Sequence, residues 1–359
     1  MRKTRNKLGD IANAGVFLEI IDSLYQHNGI DEEYKQIFDP EILKYVLQKM
    51  VQTAGVKVLL HTFLADVKRK DDTVTSIVCA TKAGLLEFSA ACFVDSTGDA
   101  DLTRFAKAEI EIGREEDGLC QPMTLFFRLA NVAPTFDFAE IQNKFEQAKA
   151  RGEITVPRDN LVPGKTLNPG VWNFNSTRVL GKSPFDIVGF SGAEFEGRRQ
   201  AFELRDFLRR EVKGFENAEL IMTGPQLGVR ESARIVGDYT LEVDDIVNLK
   251  KFDDSIARGT YPVDIHSPTG STTDFREMPA HEYYTIPYRS LTPVNLKNVI
   301  VAGRPISSSH GAHSAIRVMS ICACVGQGAG TAAGLFSGDF HKMDVKELQA
   351  VLIKNNGLY

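Results

Sequence analysis

Two histidines, His310 and His313, stand three residues apart in a polar stretch between an apolar run and a glycine-rich one. Imidazole titrates nearest neutral pH, so either ring can give or take a proton. The structural alternative is a pair of solvated or internally bonded loop histidines. Arg230 and Arg234 lie in the segment GVRESAR. A guanidinium fork can grip a substrate carboxylate through two bonds, or it can cap a helix or close an interdomain ion pair. Asp264 and His266 are close enough in sequence to couple. Tyr283, Tyr284 and Tyr288 can wall a pocket, although strand aromatics more often fill a core. Cys322 and Cys324 leave a helix on different sides, which suits small buried residues better than a redox pair. No third ligand near the histidines makes a metal site, and nothing forms a nucleophile elbow or a phosphate loop.

The elements that must position these groups centre on residues 298–336, NVIVAGRPISSSHGAHSAIRVMSICACVGQGAGTAAGLF. Residues 299–302 are a short β-branched run, as expected of a buried parallel strand. Gly303-Arg304-Pro305 ends it, a polar loop carries the histidines, and a helix rich in small residues follows from about Ile316 to Phe336. Gly326, Gly328, Gly330 and Gly334 lower helix propensity there. They make sense where a backbone or a flat ligand must come close, or where a helix packs tightly on a sheet. Strand, glycine turn and small-residue helix is also how α/β proteins set a helix N-terminus against an anion.

Upstream, residues 14–25 read as a helix, and a second helix begins at Asp39-Pro40 with an apolar stripe of Ile42, Leu43, Val46, Leu47 and Met50. Residues 56–61 read as a strand, followed by a three-stranded meander over 64–68, 74–81 and 85–89. Residues 92–99 close as a strand ending Ser96-Thr97-Gly98-Asp99, and a helix follows to about Ala106. Later expectations are a strand over 122–129, an irregular stretch over 151–190 with Trp172 and Phe174 as wall residues, and a helix over 193–212. Short strands follow at 220–223, 260–265 and 283–288, with a polar loop at 268–274 and a final helix near 345–358.

At 359 residues the chain can form two ordinary domains or one large discontinuous one. Hydrophobic residues at 43% and charged residues at 25% place it among globular proteins. A net charge of -5 offers no basic field for a nucleic-acid backbone. No apolar run reaches membrane-spanning length, and the basic start MRKTRNKLGD lacks the apolar core of a signal peptide. Five cysteines, an odd number, suit a reducing compartment, so the expected location is cytoplasmic.

Taken in order, FDPEILKYVLQKM, GVKVLLHT, FVDSTGDADLTRFA, GREEDGLCQPMTLFFRL, GVRESARIVGDYTL, YPVDIH and the segment from Asn298 resemble the FAD-dependent oxidoreductases of the glutathione-reductase-like superfamily, over nearly the whole chain. The resemblance implies an α/β fold: a three-layer FAD/NAD(P)-binding domain with an inserted α+β substrate domain, FAD as cofactor, and hydride transfer with a small organic substrate. It places the cofactor domain in two segments, residues 1–118 and 290–359, around a substrate domain of 119–289. Thr97, Gly98 and Asp99 would lie near the adenine-pyrophosphate side. Gly303 and Arg304 stand where the superfamily has Gly-Asp for the ribitol, and arginine can only donate. Arg317, Val318 and Met319 would face the isoalloxazine, with His310 or His313 as proton carrier and Arg230 as substrate anchor.

One departure matters. The family opens with a βαβ unit carrying Gly-x-Gly-x-x-Gly and an acidic residue about 20 positions on, and this sequence contains no such fingerprint. The expectation is a truncated or degenerate relative, or one subunit of a split flavoenzyme whose partner chain supplies the unit. A sheet without its first strand would expose an apolar edge, so self-association or partner binding is also expected.

Overall fold

The computed structural model describes residues 12–32, 37–279 and 281–359. The segment MRKTRNKLGD lies outside the described residues. Helix α1 (Val16–Gln26) packs on α2 (Pro40–Thr53). Asp39 caps α2 by accepting the Glu41 N–H at 2.7 Å, and Pro40 fills the first turn as expected. Val46 of the α2 stripe is buried, but Leu47 is exposed.

The meander forms as read: β1 (Phe63–Lys70), β2 (Thr73–Thr81) and β3 (Gly84–Phe88) pair antiparallel in that order. Residues 56–61 form no strand. Among the described residues no strand forms a ladder with them, and Val56, Val58, Leu59 and Leu60 are exposed, Leu60 at 75%. Apolar content without a neighbouring ladder does not make a strand.

β4 (Phe93–Asp95) runs into α3 (Asp101–Phe105), β5 (Ile110–Ile112) and β6 (Phe127–Ala130). The expected strand over 122–129 is therefore regular only at its end. Its first half pairs irregularly, Met123 with Val179 and Thr124 with Gly228. Next come α4 (Phe138–Ala150), β7 (Pro163–Lys165), β8 (Trp172–Phe174), α5 (Ile187–Glu211) and β9 (Glu219–Thr223). A four-stranded sheet in the order β7-β8-β6-β9 packs with α4 and α5 into one core, where Phe127 stacks on Phe174 at 5.0 Å. Trp172 and Phe174 are thus not pocket walls. Phe174 is fully buried and Trp172 packs on Phe136, because both belong to a strand of this sheet.

The larger core gathers α1 and α2 with β10 (Ala233–Ile235), α6 (Val243–Val247), β11 (Ser255–Gly259), β14 (Tyr284–Pro287), β15 (Val299–Val301), α7 (His310–Ile316), α8 (Met319–Gly334) and α9 (Val345–Lys354). β12 (Val263–His266) pairs with β13 (Thr273–Arg276), so part of the expected polar loop is strand. The histidine loop is in fact α7, followed by a break at Arg317-Val318 before α8 begins. Tyr284 and Tyr288 belong to this core, their hydroxyls bonded to the Ala315 and Phe340 carbonyls at 3.2 and 2.9 Å. No helix among the described residues is long and apolar enough to cross a membrane.

The element that positions the site is a parallel pair, β4 beside β15, with Asp95 opposite Val301. Both strands end in glycine with left-handed backbone, Gly98 at φ 84° and Gly303 at φ 87°. The buried Asp95 carboxylate sets the first turn. It accepts the Thr97 N–H and hydroxyl at 3.2 and 2.8 Å and the Thr103 N–H and hydroxyl at 3.0 and 3.0 Å. Asp95→Ala leaves the buried Thr103 N–H and hydroxyl without an acceptor and is expected to cost about 3 kcal/mol of stability, read by urea denaturation.

Candidate functional site

A buried carboxylate organises the region beyond the strand ends. Glu231 is fully buried, and its Oε2 accepts the Gln121 N–H at 2.8 Å. Arg234, also buried, donates to Glu231 through Nη1, to the Ser308 carbonyl at 2.7 Å and to the Gly113 carbonyl at 2.9 Å. His310 Nδ1 lies 2.9 Å from the same carboxylate. Of the two arginines singled out in the sequence, Arg234 is therefore committed to an internal ion pair. The spacing that allows it is helical in number, i to i+3, but the backbone there is irregular chain entering β10. Glu231 is the residue that sequence reading missed, and its one signal is a lone acid between two arginines in an otherwise small-residue segment.

His310 and His313 lie on the same helix but in different surroundings. His310 is half-buried and borders a cavity of about 830 Å³, together with Glu111, Gly113, Arg234, Glu242 and Ser309. His313 is sealed in the interior with no partner for Nδ1. Burial, reinforced by the charges of Arg234, Arg317 and Arg304, holds its pKa well below the usual imidazole value.

The residues expected on the cofactor side lie close together. Arg304 Nη2 pairs with Asp99 at 2.7 Å, and Asp99 also accepts the Ser232 hydroxyl at 2.5 Å. A Cβ on Gly98 would sit 3.1 Å from the Arg304 guanidinium carbon, so the side chain lies directly over that turn. Beyond it, α8 is preceded at its N-cap by Val318, whose side chain caps nothing, leaving first-turn N–H groups free of a side-chain cap. Gln121 Oε1 lies 3.5 Å from Arg317 Nη2, and Arg317 Nε has no partner. Of the α8 glycines, a Cβ at Gly328 would meet Ile256, whereas one at Gly326, Gly330 or Gly334 would meet nothing within 4 Å among the described residues outside its own stretch of helix.

These features fit a dinucleotide-type cofactor: two glycine turns side by side at the carboxyl ends of parallel strands, an uncapped helix of sixteen residues, and unpartnered Nε groups on Arg304 and Arg317. Cys322 and Cys324 are pushed up to about 11 by burial and are not reactive thiolates. Asp264 Oδ2 lies 3.6 Å from His266 Nε2, so this pair does couple. Burial opposes the charge on Asp264, but the bonds from His266 and Tyr261 and the charge of Arg317 lower its pKa to about 2. Among the described residues no group of three His, Cys, Asp or Glu side chains is placed to hold a metal.

A pH test follows from His313. The folded state keeps this ring neutral, so below the ordinary value of 6.5 the unfolded chain binds more protons. Stability is therefore retained above that pH and lost as pH falls. His266, held down first by burial, acts in the same direction. His313→Asn is expected to remove about 1 kcal/mol of the stability loss between pH 7.5 and 5.5, measured by denaturant melts at both pH values.

The chain matches the family model described as FAD dependent oxidoreductase over residues 2–352. Among curated proteins none matches it. Several solved structures are similar at low identity. A p-nitrophenol 4-monooxygenase from Pseudomonas putida DLL-E4 is 12% identical, with 98% of this chain and 62% of that one covered and a TM-score of 0.37. A geranylgeranyl bacteriochlorophyll reductase-like protein from Thermoplasma acidophilum is 10% identical, with 88% and 60% covered and a TM-score of 0.40. BexE, described in connection with oxidation during BE-7585A biosynthesis, is 13% identical, with 96% and 59% covered and a TM-score of 0.42. The chain thus spans about three-fifths of the length of these structures. The match over almost the entire sequence assigns the chain to the FAD-dependent oxidoreductase family, with an α/β FAD/NAD(P)-binding fold and FAD as its cofactor.

Proposed function

We propose that the chain catalyses flavin-dependent hydride transfer with a small organic substrate, the cofactor lying across the carboxyl ends of β4 and β15. The observation that carries this reading is the adjacent pair of left-handed glycine turns, Gly98 and Gly303, with the uncapped start of α8 beyond them. FAD, when bound, supplies a two-electron acceptor or donor. Thr97, Gly98 and Asp99 on one turn, and Gly303 and Arg304 on the other, hold its polar groups. Arg317, Val318 and Met319 bring free N–H groups and a positive charge to the ring, which favours negative charge there. His310, oriented through Nδ1 by Glu231, keeps Nε2 for proton exchange. Arg230 anchors substrate. Its Nη1 donates to the Pro122 carbonyl at 2.5 Å and to Thr124, which fixes the guanidinium.

Titration of the purified chain with FAD tests the reading. A flavin absorption band that survives desalting is expected, and Gly98→Val, whose side chain would drive into Arg304, is expected to abolish it. A colourless chain that takes up no FAD would overturn the assignment of cofactor-holding residues to this chain alone.

A second reading is favoured by one surface. Val94 of β4 is 38% exposed, Val56, Val58, Leu59 and Leu60 are exposed and join no ladder, and Gly326, Gly330 and Gly334 leave one side of α8 open to the described residues at four-residue spacing. Such a face accepts a strand and a closely packed helix. In this reading another polypeptide, either a second copy or a separate subunit, completes the cofactor layer. Light scattering is expected to give a dimer or larger species. A clean monomer that still retains FAD would count against it.

A further inference from the structure

Four arginines meet on the substrate side of this region, and among the described residues none of their guanidiniums is hydrogen-bonded to a carboxylate. Irregular pairing sets residues 121–124 between two chain segments. Met123 and Val179 exchange backbone bonds at 3.0 and 2.9 Å, and Thr124 and Gly228 do the same at 3.1 and 2.8 Å. This brings Arg178 and Arg230 to either side of that segment, and Gln121 reaches Arg317 from its start. Arg158 completes the group, since its charge and those of Arg178 and Arg317 all bear on Arg230.

The hydrogen bonds of these guanidiniums go to uncharged oxygens. Arg178 holds the Ser267 and Thr272 carbonyls at 2.9 and 3.1 Å, and Arg158 holds the Asn160 carbonyl at 3.1 Å. Arg230 holds Pro122 and Thr124, and Arg317 holds Gln121. Arg178 and Arg158 are buried, and the Nε atoms of Arg178 and Arg317 have no partner. The one acid bearing directly on Arg230 is Asp264, itself bonded to Tyr261 and facing His266. Asp264 also bears on Arg158 and Arg317, Asp159 bears on Arg158 and Arg178, and Glu231, which bears on Arg317, is already paired with Arg234, so four buried or half-buried cations against two carboxylates leave an excess of positive charge out of water. A fold tolerates that poorly unless an anion completes it. Elsewhere the same protein pairs its buried guanidiniums, Arg234 with Glu231 and Arg304 with Asp99.

We propose that the Arg158, Arg178, Arg230 and Arg317 cluster binds the substrate, and that this substrate is a small organic dianion whose charged groups are carboxylate or phosphate. The identification rests on the flavin-dependent reading above for the word substrate, but the anion site stands on the cluster itself. A single negative charge would leave the excess uncompensated, whereas a dianion matches it and can engage separate guanidiniums through paired bonds.

The test is calorimetric titration of the full chain, with and without FAD, at constant ionic strength. The probes are succinate, glycerol 3-phosphate, acetate and chloride. Saturable binding of succinate or glycerol 3-phosphate, at least tenfold tighter than acetate and absent for chloride, is expected, and the tighter probe identifies the carboxylate or phosphate source. Arg230→Gln and Arg317→Gln are each expected to weaken it by about tenfold or more, while Arg199→Gln, at a surface pair with Glu196, leaves it unchanged. Equal affinity for acetate and succinate, or no saturable binding by the wild-type chain, would overturn the proposal. Because the wild-type titration needs no variant, a misfolded mutant does not blur the result. FAD uptake in the same samples reports separately on the cofactor reading.

Discussion

The buried Glu231 carboxylate is the constraint around which the functional region closes. It draws Gln121, Arg234 and His310 to one point, and through Arg234 it also ties down the carbonyls of Gly113 and Ser308. Segments far apart in sequence are thereby fixed together by bonds that have no water to fall back on. A buried ion pair of this kind adds little net stability over an apolar substitute, but breaking it leaves an uncompensated charge. Its effect is specificity: chain entering β10, the start of α7 and the segment beyond β5 can meet in one arrangement.

Around that point the chain divides its arginines into two kinds. Arg234 and Arg304 are neutralised by Glu231 and Asp99 and belong to the scaffold. Arg158, Arg178, Arg230 and Arg317 are held by carbonyls and amides, which orient a guanidinium without cancelling its charge. The first kind builds the wall and the second keeps positive potential available inside it. His310 stands between the two, tied to the scaffold through Nδ1 and bordering open space. His313, one helical turn on, is sealed and neutral.

The parallel pair β4–β15 sets the geometry of the two glycine turns. Two strands are a narrow base, and they are steadied from within by the four hydrogen bonds on Asp95 and from above by the Arg304–Asp99 pair. The side of α8 bearing Gly326, Gly330 and Gly334 and the exposed residues 56–60 are not covered by any of the described residues. Small residues and unpaired backbone are what a closely packed neighbour requires, so the same feature that narrows the sheet leaves room for one.

Local signals alone determined the α2 cap at Asp39-Pro40, the meander turns and the Thr97-Gly98-Asp99 turn, because each depends on contacts within a few residues. The family motifs, though weak one by one, were legible for the same reason. Tertiary structure decided what depends on partners distant in sequence. Residues 56–61 carry strand-like apolar content but have no ladder to join. Phe174 became core because β6 and β9 complete a sheet around it. The histidine loop became helix α7, seated on β12, where Ser314 bonds the Asp264 N–H at 2.9 Å. Glu231 and Arg178 were invisible beforehand. A charged side chain reveals its function only when burial and the absence or presence of a counter-charge are known, and both are properties of the assembled fold.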